Sequence, residues 1–303
     1  MQAYLSLDVG GTQIKSCLVS TQGEILSDVL YYPSYSNQSK QEILGNFSIV
    51  IQSGFHIAKK LDINIIAVGV GFPGPFDYSN GISKIQGIGK YDSIYDVNLK
   101  EIFEQEFKCN FYFANDADLY TLGECFLSKG KNYNRVMCIC IGTGLGSGFF
   151  SRPNLVKGEY PVPKTGWIYN ERFMDGIIDQ YISATGIYTM MKQNEVTKNV
   201  ATVLELSQLA SNGDTNAIAI FDEFSERLTK AILPYAVAFK ADCVIVGGQV
   251  SNSAPLFIDG LKTKLMQHNI VLQISENSAN LSMRAIIKII PAQLALNEIG
   301  EKQ

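Results

Sequence analysis

The segment Leu7-Asp8-Val9-Gly10-Gly11-Thr12-Gln13-Ile14-Lys15 constrains the fold of this chain more than any other. An apolar strand, Ala3 to Val9, runs into one carboxylate and then two glycines and a threonine. An alternating strand from Ile14 to Val19 follows, and Thr21-Gln22-Gly23 turns it into a third, expected over Glu24 to Tyr32. Adjacent glycines let the backbone bend tightly and present bare N–H groups to an anion. Thr12 adds a hydroxyl, and Asp8 stands where a carboxylate can hold hydrated Mg²⁺ over phosphates. The alternative is an ordinary β-hairpin whose Asp and Gly serve only the turn. The rest of the chain weighs between the two.

At 303 residues the chain has room for two domains of usual size. Its 46% hydrophobic and 18% charged residues describe a globular protein. A net charge of −4, with no basic run and no interleaved aromatic stripe, argues against a nucleic-acid partner. No helix-turn-helix pattern precedes the first strand. Asp8 interrupts the apolar N-terminal stretch, and no segment is apolar enough over the length of a bilayer span. The expectation is a cytoplasmic protein with no membrane partner. The cysteines, Cys17, Cys109, Cys125, Cys138, Cys140 and Cys243, fall mostly in strand-like apolar runs and read as buried thiols. With no CxxC pair and two isolated histidines, His56 and His268, no zinc site is expected.

Along the first half, three antiparallel strands lead to a helix with Ile43, Phe47 and Val50 on one face, then to a strand over Ile63 to Phe72. Tyr78-Ser79-Asn80-Gly81 is a hairpin signal, and a helix carrying Leu99, Ile102, Phe103 and Phe107 follows. A short strand, Phe111 to Ala114, ends at Asn115-Asp116. The plan then begins again. A helix from Leu119 to Leu127 precedes the strand Arg135–Ile141 and a second glycine-rich hairpin, Gly142-Thr143-Gly144-Leu145-Gly146-Ser147-Gly148. Gly142 laid on Gly10 gives strand, Gly/Thr turn, strand in the same order, 132 residues on. Such symmetry suggests two copies of one α/β domain facing a cleft. Ala217, Ile220, Phe224, Leu228 and Ala231 mark a long helix that Pro234 should kink or end. Cys243 to Val246 is a buried strand meeting Gly247 and Gly248.

Gly69-Val70-Gly71-Phe72-Pro73-Gly74 matches GxGxxG, the dinucleotide fingerprint. Those glycines should open a helix; here Pro73 and Pro75 lead into turn sequence instead. Asn115-Asp116-Ala117-Asp118 sits where a strand yields to a helix. It reads either as a capping site or as a general base aimed from the strand's end.

Taken together, Asp8-Val9-Gly10-Gly11-Thr12, Gly71-Phe72-Pro73-Gly74-Pro75, Asn115-Asp116-Ala117, the 142–148 loop and Val246-Gly247-Gly248 resemble, in order and spacing, the ROK family of bacterial sugar kinases over roughly residues 4–300. The segment from Gln86 to Asp92 and on through Asn98 to Glu101 looks most like the β-glucoside kinase branch. The resemblance implies an α/β fold of duplicated actin-like ATPase (ribonuclease H-like) domains around a central cleft. The N-terminal domain is expected over 1–114, joined by residues 291–303, and the C-terminal domain over 115–290. It also implies ATP- and Mg²⁺-dependent phosphorylation of a sugar hydroxyl, O6 of a hexose or hexoside. In that scheme Gly10, Gly11, Thr12, Thr143 and Gly144 bind phosphates, and Asp8 holds Mg²⁺ through water. Gly247 and Gly248 lie beside adenosine, Asp116 is the catalytic base, and Asn115 and Gly74 contact the sugar. A homodimer is the oligomer such a resemblance suggests. Lys15 reads as a solvated hairpin lysine.

The pattern breaks at the sugar end. Most members carry a Gly-Glu-x-Gly-His element, and neither alignment of the stretch Gly158–Asn170 supplies both its Glu and its His. The family's zinc-binding cysteines are absent. Their tail survives as Gly176 to Gly186, where Asp179 replaces a sugar-binding glutamate and reads equally as an exposed helix carboxylate. Trp167, the only tryptophan, suits the apolar face of a sugar or plain interface core. The last helix of the family is shortened or divergent after Leu296. The sequence therefore supports a zinc-independent sugar kinase, with a catalytically inactive sugar- or nucleotide-binding relative as the alternative.

Overall fold

A computed structural model describes residues 1–195, 197–276 and 278–291; the last-helix expectation after Leu296 lies outside them. The chain divides into two compact units, Met1–Leu119 with the segment from Ala279, and Tyr120–Ser278.

In the first unit, β1 (Gln2–Val9), β2 (Gln13–Ser20) and β3 (Leu30–Pro33) form an antiparallel meander. Helix α1 (Lys40–Lys60) leads to β4 (Asn64–Phe72), and β5 (Phe76–Asp77) and β6 (Ile82–Ser83) make a small hairpin. Helix α2 (Leu99–Phe107) then returns the chain to β7 (Phe111–Asn115). The sheet order is β3-β2-β1-β4-β7, with β4 parallel to both β1 and β7. The third strand is shorter than its sequence suggests. Ser27 accepts the Leu18 N–H through its hydroxyl, which takes a ladder donor away and delays full pairing until Leu30. Helix α1 starts on a capping box between Ser39 and Glu42. It buries Ile43, Phe47 and Val50 as their spacing predicts.

The second unit repeats the plan. Helix α3 (Asp116–Leu127) precedes β8 (Arg135–Ile141), β9 (Leu145–Ser151) and β10 (Asn154–Leu155). A ribbon of β11 (Arg172–Phe173) and β12 (Gly176–Ile177) and the helices α4 (Ile178–Tyr181), α5 (Ala184–Gln193), α6 (Val203–Ser211) and α7 (Thr215–Ala238) follow. β13 (Cys243–Gly247), α8 (Ile258–Met266) and β14 (Val271–Ile274) complete it. Its sheet order, β10-β9-β8-β13-β14, has the same parallel and antiparallel pairings as the first. Helix α7 runs through Pro234, so of the two outcomes expected there, a kink or an end, the helix does not end. Buried Ala231, Ile232 and Ala236 on either side hold the helix together across the lost N–H.

Alternation along β1 covers both faces of the first sheet. Leu5 points to α1, where a side chain at Gly54 would come within 2.5 Å of it. Ser6 points the other way and donates to the Met283 carbonyl at 2.9 Å, on α9 (Ser278–Arg284). On that face Gly69 lies under Ile286 and Gly71 under Leu119, each with no room for a Cβ. The GxG of β4 is therefore a packing device inside a strand, and no helix opens there. Gly54→Ala sets a gain of about 1 kcal/mol in helix propensity against overpacking of about 1–3 kcal/mol on fully buried Leu5. The variant should lose stability in urea unfolding; a gain would refute the α1–β1 packing.

Candidate active site

Because β1, β4 and β7 are parallel, their C-terminal ends gather at one edge of the first sheet. Asp8 pairs with Gly71, Gly71 with Ala114, and Phe72 with Asn115. The register thus brings Asp8, the Pro73-Gly74 segment and Asn115-Asp116 to the edge where parallel α/β sheets take ligands.

The Gly10-Gly11-Thr12 turn between β1 and β2 is tied down through its carbonyl oxygens. Tyr91 donates its hydroxyl to Gly10 O at 2.9 Å, and Ser34 donates to Gly11 O at 2.6 Å. Ser36 also donates to Gly11 O, and the Ser34 N–H donates to Thr12 O at 3.0 Å. Burial pushes the Tyr91 phenol well up, so it remains a donor. The Gly10 N–H closes the turn on Gln13 O. Among the described residues, the N–H groups of Gly11 and Thr12 donate to no protein acceptor. Neither glycine has a positive φ. Gly11 is small for another reason: a Cβ there would meet Lys90 Cδ at 2.9 Å.

Asp8 and Lys15 face each other across the hairpin and form a 2.9 Å ion pair, both largely shielded from solvent. Lys15 is therefore the partner of the expected metal ligand and not a solvated lysine. Asp116 opens α3 with part of its surface exposed, yet its carboxyl sits deep. Burial, with the Asp8 charge second, pushes it from 3.8 up to about 6, against the pull of the Ala117 N–H and the Lys90 ammonium. The cap of α3 is Asn115, whose carbonyl accepts from Ala117 N at 2.9 Å and Asp118 N at 3.3 Å. Asn115 Nδ2 donates to Tyr78 Oη, which donates to Phe72 O at 3.1 Å and ties β7 to the segment carrying Gly74. The helix thus starts three residues before Leu119, and the Ala117 N–H is shared between Asn115 Oδ1 and Asp116 Oδ1, each at 2.9 Å.

In the second unit the 142–148 loop is tied down in the same manner. Thr185 donates to Thr143 O at 2.9 Å and the Ala184 N–H to Gly142 O at 2.9 Å. The Thr143 and Gly144 N–H groups donate to no protein acceptor among the described residues. Asp179 is half-buried, and its Oδ1 accepts from Leu145 N at 2.5 Å and lies against Gly144, where a Cβ would come within 2.9 Å. Its carboxylate anchors this loop, a use that neither sequence reading contained. Trp167 is half-buried with the Lys157 ammonium 5.0 Å from its ring centroid, which covers one face of the indole. Gly247 leaves room for the Tyr120 hydroxyl. Gly248 has φ 90 and lies against the Ile141 carbonyl, so no side chain fits there. The sequence assigns no site role to Ser34, Ser36, Tyr78, Lys90 or Tyr91, although Tyr78 falls in the hairpin signal and Lys90 and Tyr91 in the glycine-containing Gln86–Asp92 segment.

The raised Asp116 carboxyl has a consequence for stability. Its protonated form is favoured in the folded state, so stability is greatest below the unfolded value and falls as pH rises through about 6. Asp116→Asn should therefore melt several degrees higher than the parent near pH 8 and at the same temperature near pH 4. Equal melting at both pH values would rule out the buried, charge-strained carboxyl.

The ROK family profile matches residues 4–285. Among curated relatives, the chain is 27% identical over 285 residues to a glucokinase of Halalkalibacterium halodurans, covering 86% of this chain and 84% of that one. It is 27% identical over 265 residues to a β-glucoside kinase of Listeria monocytogenes, covering 85% of each. Among solved structures, a ROK family glucokinase from Streptomyces griseus, in complex with glucose and AMPPNP, superposes with a TM-score of 0.76 at 21% identity, over 94% of this chain and 98% of that one. Each unit's mixed sheet is that of the actin-like ATPase fold of these kinases. The chain belongs to the ROK family.

Proposed function

We propose that this protein transfers the terminal phosphoryl group of ATP to a sugar hydroxyl, O6 of a hexose or hexoside, with Asp116 as general base. The observation that carries the reading is the Asp116 carboxyl, raised to about 6 at the strand edge that also holds Asp8 and the Gly10–Thr12 turn. A base of that strength is ionised near neutral pH and still accepts an alcohol proton as it is released. The kinase names of the two curated relatives point the same way.

The sugar oxygen forms a bond to the γ-phosphorus as the bond to the β,γ-bridging oxygen breaks; ADP leaves, and the hydroxyl proton passes to Asp116 Oδ. Gly11 and Thr12 would bind phosphate oxygens through their unpaired N–H groups, with Gly10 shaping the turn, and Thr143 and Gly144 would do so in the second unit. Gly247 and Gly248 would leave the backbone open to adenosine. Mg²⁺ would suit Asp8, a carboxylate beside the phosphate-binding turn, because this ion is usually held by one or two carboxylates with water and phosphate. Bound there, it would neutralise charge on the phosphates, in competition with Lys15 for Asp8. Asn115 and Gly74 would meet the sugar, and Trp167 would offer the indole face away from Lys157.

A second reading, binding without turnover, draws on Asp179: its Oδ1 holds Leu145, so it serves the loop whether or not it reaches a sugar. ATP consumption with a panel of hexoses, hexosamines and β-glucosides separates the two. Turnover on at least one sugar is expected, rising with pH through about 6. Asp116→Asn should lose about 10²–10⁴-fold in kcat with nucleotide affinity unchanged. An active Asp116→Asn protein would sink the assignment, and ATP binding with no turnover on any sugar would favour the second reading.

A further inference from the structure

Two carboxylates and a triphosphate brought to one strand edge need positive charge beyond a single metal ion. Lys15 is committed to Asp8 at 2.9 Å. Lys90 is not committed: among the described residues it forms no ion pair, and it is half-buried rather than extended into solvent. Its stem lies on the Cα of Gly11, with Nζ 3.6 Å from where a Gly11 Cβ would be. The ammonium therefore stands beside the turn whose Gly11 and Thr12 N–H groups have no protein acceptor.

The backbone around Lys90 keeps it there. Tyr91 has a left-handed backbone, φ 59, and its hydroxyl holds Gly10 O at 2.9 Å. Its N–H donates to the carbonyl of Ser36, whose hydroxyl in turn binds Gly11 O. Asp92 accepts the N–H groups of Ile88 and Gly89, closing the 88–92 segment on itself. Gly87 and Gly89 have φ 76 and 75, which only glycine adopts without strain. Lys90 is thus fastened to the glycine turn through its neighbour, and the missing side chain at Gly11 is the space its stem occupies.

We propose that Lys90 is a phosphate-binding residue that contacts the terminal phosphate of a bound nucleoside triphosphate. The proposal rests on the kinase reading above. Lysine serves phosphate as a compact charge, and a flexible stem lying flat on a glycine lets that charge follow the phosphoryl group. The charge of the same ammonium pulls the Asp116 carboxyl down, so it would also favour the ionised base.

The test is equilibrium binding of MgATP and MgADP by calorimetry to the full chain and its Lys90→Met variant, with no sugar and no turnover. The parent should prefer ATP, and Lys90→Met should lose that preference by about tenfold or more, whereas Lys90→Arg should keep most of it. If the Met variant does not fold, Lys90→Gln carries the same comparison. An ATP preference that survives in the uncharged variant, or a parent that binds both nucleotides equally, overturns the assignment alone. A parent that binds neither nucleotide overturns the kinase reading and this one together. If Lys90 serves only Asp116, its loss moves the pH limb of turnover upward and leaves the ATP preference intact, which also overturns it.

Discussion

The parallel register of β1, β4 and β7 is the constraint from which the candidate site descends. It sets Asp8 beside Gly71 and carries Asn115-Asp116 to the same edge. The two carboxylates then share one electrostatic environment, which helps lift the Asp116 carboxyl to about 6. A one-residue slip of β1 would turn Asp8 to the α1 face, where Leu5, Leu7 and Val9 are packed. Burial of those three side chains, worth about 1.5–3 kcal/mol each, is what locks the carboxylate in place. Core packing and site geometry are thus one interaction seen from two faces of a strand.

Both glycine turns follow a common physical scheme. Their carbonyls are satisfied from behind, by Tyr91, Ser34 and Ser36 in the first unit and by Thr185 and the Ala184 N–H in the second. Successive N–H groups are left facing forward. Peptide units fixed in this way carry oriented dipoles that need no reorganisation when an anion arrives. The glycines serve close approach more than unusual torsion: Gly11 admits Lys90 and Gly144 admits Asp179.

Much of this architecture was legible in the chain itself. The repeated strand, Gly/Thr turn, strand pattern corresponds to two sheets of identical pairing order, and α1 buries the face its spacing marks. Local chemistry adjusted the edges. The Ser27 hydroxyl shortened β3, Asn115 moved the start of α3 to Asp116, and packing carried α7 through Pro234. The GxG of β4, ambiguous as a string, became a seat for Ile286 and Leu119.

The sequence by itself determined the class of fold and the ROK membership, and it marked the positions proposed to serve anions and a base. Those rest on short-range order: periodicity, glycine placement and motifs read within a few residues. Only the tertiary structure decided what each charged group does. Lys15 neutralises Asp8, Lys90 lies on Gly11, and Asp179 holds Leu145, and each pairing joins strands or segments apart in the chain. Electrostatics and desolvation act through space, so their outcome at Asp116 was set by the folded neighbours and not by the string Asn115-Asp116-Ala117.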